Sequence, residues 1–379
     1  MLDISTIKGL KELMRESVLR DKFLLDQIRE EARTLKNEVK SIRPRTTSSI
    51  SIVGTDGGNN SLKFDPYIIH VIRVVDSYNK EYYLDVITPT TPIDHLNNKI
   101  IRGGAGFDAL KNMMDFLGVR DITQLTPMIK RTPPGEPVKP TWIDVYREIV
   151  EWAMLFHIVN DEKRTGDTLI VSDGLLRSKI FSRDLFKTIT KGIEEGIERQ
   201  RKENNRQIHV AGVAKHSKVM ERYKLAMHLE GIMTEDYPCY VEIPRALEEK
   251  AYVWSEYARD TDEEGKEINK FVAGKMFFVK FGSEPGDPIW PVDIFLPQVK
   301  DAQKIIGGLL FDAQNGFPVP FYPLSLQRAH ENAALVDLDM DIIQREILDS
   351  VRHSLGDESK LVDSFLIKTK DVAANRYSR

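Results

Sequence analysis

The chain has almost no cysteine, no long apolar run and no strong excess of either charge. Cys239 is the single cysteine in 379 residues. That excludes an internal disulfide and zinc sites built on several thiolates, and it predicts a reducing, cytoplasmic location. No window supplies the roughly 18 apolar residues of a membrane span. The first residues, MLDISTIKGLKELMRESVLRDKF, are charged throughout and lack the apolar stretch of a signal peptide. No membrane contact is expected. Net charge is −4, so any nucleic-acid site must be a local basic surface and not the whole molecule. Common catalytic signatures are missing too: a P-loop, a Gly-x-Ser-x-Gly elbow and a His-Glu-x-x-His zinc motif. The cluster Gly103-Gly104-Ala-Gly106 lacks the strand–turn–helix setting of a dinucleotide site.

What remains is ordinary in bulk, 41% hydrophobic and 30% charged, long enough for a substantial core in two average domains or one elaborated one. Leu10, Leu13, Met14, Val18, Leu19, Phe23, Leu24, Ile28 and Leu35 recur at helical spacing, predicting one long helix over 6–42 that packs on the main domain or on a partner. Strands are predicted over Ser49–Thr55, Lys63–Ser77 and Glu81–Thr88 as an antiparallel meander. Residues 89–141 read as a loop-rich insertion with a short helix near Phe107–Leu117, and Thr132–Pro140 reads as a surface loop. Then follow a helix over Trp142–Asp161, a strand over Thr168–Asp173, a helix over Phe181–Asn204, a strand over Gln207–Val213 and a helix to Leu229. Later strands are expected at Lys275–Phe281 and Ile289–Leu296, helices at Asp301–Leu310 and 341–354, and a frayed tail. This alternation predicts an α/β fold, a mixed sheet flanked by helices. The expected divisions are 1–45, 46–340 and 341–379. Cys239, in Tyr237-Pro-Cys-Tyr-Val, reads as core and not as a nucleophile.

Two strands stop on Asp-Gly: Ile50-Ser-Ile-Val-Gly-Thr-Asp56-Gly-Gly58 and Thr168-Leu-Ile-Val-Ser-Asp173-Gly174. A β-branched run that ends on Asp-Gly presents the carboxylate where the sheet opens. Two such aspartates suit a hard divalent cation, Mg²⁺ or Mn²⁺. Two ions about 4 Å apart activate water and stabilise the leaving oxygen of a phosphodiester. Each Asp-Gly read alone is more often a plain turn than a ligand. Glu148 and Glu151, three apart on one helix face, offer a third carboxylate or merely a solvated face. Lys215 can neutralise a phosphate, and Ser217 can cap the next helix or help hold phosphate at its start. Tyr322 and His330 flank a helix start, where they either pack or serve in stacking, ligation and proton transfer.

In this order the motifs resemble the NurA nuclease family: Asp56-Gly, an acidic helix, Asp173-Gly, Lys215-x-Ser217, and Tyr322-Pro-Leu with His330 eight residues on. The resemblance spans roughly residues 50–335. It implies an RNase H-like core and a manganese-dependent DNA nuclease acting as a 5′–3′ exonuclease and single-strand endonuclease. It also implies a homodimer working with a HerA-type hexameric ATPase, in recombinational repair or defence against phage. Carried over by position, Asp56, Glu151, Asp173, Tyr322 and His330 form the active site. Asp56, Glu151, Asp173 and His330 would hold Mn²⁺ or Mg²⁺, expected as two ions, with Glu148 as the alternative to Glu151. Lys215 and Ser217 would contact DNA phosphates or order the site. Gly58 stands where the family often has a small hydroxyl residue. The N-terminal helix or 89–141 would dock the ATPase. Two other readings remain open at this stage: a non-catalytic DNA-end-binding or docking subunit, and a metal hydrolase of RNA or small phosphoesters.

Overall fold

A computed structural model describes residues 4–44, 50–64, 67–104, 106–131, 141–162, 166–251, 259–261, 267–269, 271–335 and 337–355. The chain begins with helices α1 (Ile4–Arg20) and α2 (Lys22–Arg33) and a two-residue strand β1 (Lys40–Ser41). The meander follows as β2 (Ser51–Phe64), β3 (Tyr67–Asp76) and β4 (Glu81–Ile87), then short helices α3 (Ile93–Arg102), α4 (Asp108–Phe116) and α5 (Ile122–Leu125). Next come α6 (Trp142–Asn160), β5 (Thr168–Asp173), α7 (Leu185–Asn204), β6 (Ile208–Val213), α8 (Lys218–Leu229), β7 (Cys239–Glu242) and α9 (Arg245–Ala251). A small pair, β8 (Arg259–Thr261) and β9 (Glu267–Asn269), precedes β10 (Gly274–Lys280) and β11 (Ile289–Phe295). Helices α10 (Ala302–Gln314), α11 (Leu324–Ala333) and α12 (Asp337–Leu355) close the described chain.

The expected mixed sheet flanked by helices is what forms. Among the described residues it has nine strands in the order β1-β7-β10-β11-β6-β5-β2-β3-β4. β2, β5 and β6 run parallel, with Thr55 beside Ser172 and Asp173 beside Val213. The other neighbours are antiparallel. Central β5 is buried on both faces, as a strand covered by helices must be. Ile170 faces a core built with α4, α6 and α7, while Leu169 and Val171 face a second core with α10 and α11. Helix α6 is apolar on most of its circumference because it is buried on most sides. A third cluster joins Ala32 and Leu35 to α8 and to alternate residues of β7 and β10, and Cys239 is buried in it.

Three expectations change. The single helix over 6–42 is two, breaking at Asp21, after which buried Leu35 anchors a turn into edge strand β1. Amphipathic periodicity continues across the break and hides it. Among the described residues of 89–131, α4 matches the short helix expected near Phe107–Leu117, while α3 and α5 add helices not expected there, and Leu96, Ile100, Leu110, Met113, Ile122 and Leu125 are core residues. Thr132–Pro140 and residues 356–379 lie outside the described residues. Lastly, β2 does not stop at Asp56. It runs on to Phe64 because β3 supplies antiparallel partners through Gly57 and Gly58.

Candidate functional site

The carboxyl ends of parallel strands are where open α/β sheets place their ligand sites, since helices cover the faces and leave that edge accessible. Asp173 is the last residue of β5. Asp56 is the first residue of β2 beyond its ladder with β5, which ends at Thr55. Beyond that point β2 pairs on one side and its other edge is open. The aspartates therefore reach the same edge from neighbouring strands. With His330 they form a group whose ligand atoms all lie within 4.8 Å of one another.

His330 comes from α11, on the opposite side of the sheet from α6. Its Nδ1 lies 2.7 Å from Asp56 Oδ2. α11 approaches this closely because Gly54 has no side chain: a Cβ there would stand 2.4 Å from the Ser325 carbonyl carbon. Asp312 fixes the helix start, accepting from the Ser325 hydroxyl at 2.6 Å. Tyr322, fully buried just before α11, donates its hydroxyl to Asp173 Oδ1 at 2.8 Å. Lys215 Nζ donates to the other oxygen, Asp173 Oδ2, at 2.9 Å.

α6 supplies two more carboxylates. Glu151 lines the cleft with Asp56, Asp173, Lys215 and His330. Gly57 accommodates it: a Cβ on Gly57 would sit 2.3 Å from Glu151 Oε1. Glu148 turns further in and accepts from the Ser178 hydroxyl at 2.6 Å. Ser217 lies apart from this group, buried as the N-cap of α8 and accepting from the Val219 N–H at 3.2 Å. Thus the structure brings Asp56, Glu151, Asp173, Lys215, Tyr322 and His330 together, sets Glu148 one step away and leaves Ser217 outside.

The carboxyl groups carry a clear electrostatic signature. Burial pushes the Glu151 pKa up to about 8; Arg147 opposes the rise, and Asp56, Glu148 and Asp173 add to it. Asp56 is raised by burial and by Asp173, against the pull of His330. Glu148 is raised by burial, against Ser178 and Arg147. Burial and Asp173 keep the Tyr322 phenol protonated, as its hydrogen bond requires. Carboxylates this close fit a hard divalent cation, which would relieve the burial and repulsion that raise Asp56 and Glu151. Asp56, Asp173 and His330 would hold it, with Glu151 alongside.

No family model matches the chain, and no curated protein matches it. Solved structures do. A crystal structure of the NurA nuclease from Sulfolobus solfataricus is 13% identical, covering 93% of this chain and 98% of its own, with a TM-score of 0.46. A structure of NurA with manganese is 12% identical over 90% of this chain and 98% of its own, at a TM-score of 0.37. One of NurA bound to dAMP and manganese is 12% identical over 88% and 94%, at 0.34.

Three residues of the site escaped the sequence reading. Arg147 looks like any solvated helix arginine, yet its Nη1 donates to the Gly57 carbonyl at 3.0 Å. Ser178 sits in an irregular stretch without periodicity. Gly57 reads as a strand terminator and is instead the space that Glu151 fills. One signal was present for Arg147: it precedes Glu151 by one helical turn, the spacing of an ion pair.

Proposed function

We propose that this chain is a divalent-metal-dependent nuclease that hydrolyses DNA phosphodiesters. The observation that carries the reading is the convergence of Asp56, Asp173 and His330 at one sheet edge, with Glu151 beside them. A cation bound there supplies Lewis-acid activation of water and charge stabilisation at the phosphate. The order β4-β3-β2-β5-β6, antiparallel only through β3, supports an RNase H-like reading of this half of the sheet. The preference for manganese, the use of two ions, the 5′–3′ polarity, the homodimer and the HerA-type partner rest on the motif resemblance, as does a role in repair or in defence against phage.

The chain's own residues act as follows in this reading. Tyr322 and Lys215 each hold one oxygen of Asp173, fixing its plane. Lys215 also brings positive charge to a phosphate entering the cleft. His330 has its Nδ1 on Asp56, so its Nε2 is left to exchange a proton with a leaving oxygen. Glu151 keeps its proton while no cation is bound, gives it up when one binds alongside, and is then a carboxylate that takes a proton from the attacking water.

The test is cleavage of end-labelled single- and double-stranded DNA with Mn²⁺, Mg²⁺ or EDTA, by wild type and Asp56→Ala. Metal-dependent cleavage lost in the variant is the expected result. Equal cleavage by both would remove Asp56 from the site. No cleavage in any metal, with a HerA-type ATPase added, would leave a DNA-binding or docking subunit. Faster cleavage of RNA or a small phosphoester would redirect the substrate.

A further inference from the structure

Two spaces meet at the carboxylates. The outer one is the cleft holding Lys215 and His330. The inner one, about 510 Å³, runs back past Leu155, Leu176 and Ile180. Asp56, Arg147, Glu151 and Asp173 line both. Of the two fixed cations in the outer cleft, Lys215 is already committed to Asp173. Arg147 donates no hydrogen bond to a carboxylate, although its Nε stands 3.6 Å from Glu151 Oε1, within ion-pair range. Its Nη1 donates to the Gly57 carbonyl at 3.0 Å. Its Nε is buried with no hydrogen-bond partner among the described residues.

A guanidinium held on one side by a carbonyl is oriented but not used up. Its remaining N–H groups form a fork that matches two oxygens of a phosphate. Asp56, Glu148, Glu151 and Asp173 all line the inner space. A phosphodiester entering beside them adds one more negative charge, and like charges at such range repel strongly. We propose that Arg147 is a substrate-contacting residue that binds the non-bridging oxygens of a DNA phosphate where the two spaces meet. This rests on the phosphodiester reading of the site. The competing role is a strut that only spaces Gly57 from Glu151.

The experiment compares full-length wild type, Arg147→Lys and Arg147→Met. Binding of a short single-stranded oligodeoxynucleotide is read by fluorescence anisotropy in Ca²⁺. Cleavage is read in Mn²⁺, and Mn²⁺ affinity by electron paramagnetic resonance. The Met variant is expected to bind DNA about 10-fold more weakly and to lose about 100-fold in kcat/KM, with Lys recovering only part of each. Mn²⁺ affinity should stay within about 2-fold, because Arg147 hydrogen-bonds the Gly57 carbonyl and not Asp56, Asp173 or His330. Neutral methylphosphonates then replace one phosphate at a time. At one position wild type should fall to the level of Arg147→Met, and the variant should lose nothing further. Additive losses at every position, or Mn²⁺ affinity falling in step with DNA binding, would overturn the proposal in favour of the strut. Should Arg147→Met fail to fold by circular dichroism, Arg147→Lys carries the same comparison. Should wild type cut nothing in any metal, the nuclease reading fails, while anisotropy still decides whether Arg147 holds DNA.

Discussion

His330 Nδ1 stands 2.7 Å from Asp56 Oδ2, although 274 residues separate the two in the chain. Either the pair is a charge-assisted hydrogen bond or a cation displaces the shared proton, and both uses need the same positions. Even an outer-sphere partner of a metal site is worth about 10- to 100-fold in affinity or activity. His330→Ala is therefore expected to weaken Mn²⁺ binding by at least about 10-fold. Asp56→Ala should abolish cleavage, with both variants melting close to wild type in EDTA. Unchanged Mn²⁺ affinity in His330→Ala would exclude the histidine as a ligand and leave it only the proton-transfer role.

Tyr322 acts on Asp173 without needing to touch substrate. Its hydroxyl divides between Asp173 Oδ1 at 2.8 Å and the Val213 carbonyl at 3.2 Å, and its ring packs edge-on to Trp290 at 4.9 Å. Tyr322→Phe keeps the ring and removes the donor. The expected outcome is a loss of about 10- to 100-fold in metal affinity or activity with little change in melting temperature. Isothermal titration with Mn²⁺ and a thermal melt check it. A large drop in melting temperature with intact metal affinity would make the hydroxyl a structural group.

How much of this was legible follows from the range of each interaction. The parallel strand ending on Asp173 carries its own pattern, a short β-branched run closed by glycine, and the structure puts the strand end there. Asp56 lies at the sheet edge, but in mid-strand. Its Gly57-Gly58 reads locally as a stop, and only the distant pairing with β3 keeps it extended. Helix α4 was legible near Phe107–Leu117, but α3 and α5, of 10 and 4 residues, are too short for periodicity to outweigh the surrounding prolines and glycines. The buried network in which Arg177 pairs with both Asp293 and Glu248 left no trace at all, because each partner comes from a different part of the chain. Glu148 and Glu151 share a helix face in sequence. Only the packing of α6 against Gly57 shows which one lines the cleft.

The raised pKa of Glu151 has a definite sign. The folded value, about 8, lies above the ordinary glutamate value of 4.5 that holds in the unfolded chain. Between those values the folded protein keeps a proton that the unfolded chain releases, so this group costs stability as pH rises from 4.5 to about 8. Asp56 and Glu148 are shifted in the same direction. In EDTA, Glu151→Gln should therefore gain melting temperature relative to wild type as pH rises through this window. Mn²⁺ should stabilise wild type more at pH 8 than at pH 6, since its binding releases protons. Thermal melts at several pH values, with and without Mn²⁺, measure both. A pH-independent difference between Glu151→Gln and wild type would show that the carboxyl is not held protonated.

Gly54 and Gly57 lie three residues apart in β2 and so face opposite sides of the sheet, and their substitution should fail in opposite ways. A Cβ at Gly54 meets backbone: the Ser325 carbonyl carbon and oxygen at 2.4 Å and the Leu326 nitrogen at 2.8 Å. Backbone atoms cannot step aside singly, so α11 must move as a body, at a cost of about 1–3 kcal/mol as in other overpacked cores. Gly54→Ala should lower both the melting temperature and activity, because α11 carries His330. A Cβ at Gly57 meets the far end of one side chain, the Glu151 carboxyl, at 2.3 Å. That carboxyl can swing away about its own torsions, so Gly57→Ala should melt near wild type while losing activity as Glu151 leaves the cleft. Metal-dependent DNA cleavage and thermal melts of the two variants, side by side, separate the two effects. If Gly57→Ala retains full activity, Glu151 has no part in the chemistry, and the third carboxylate must be sought at Glu148.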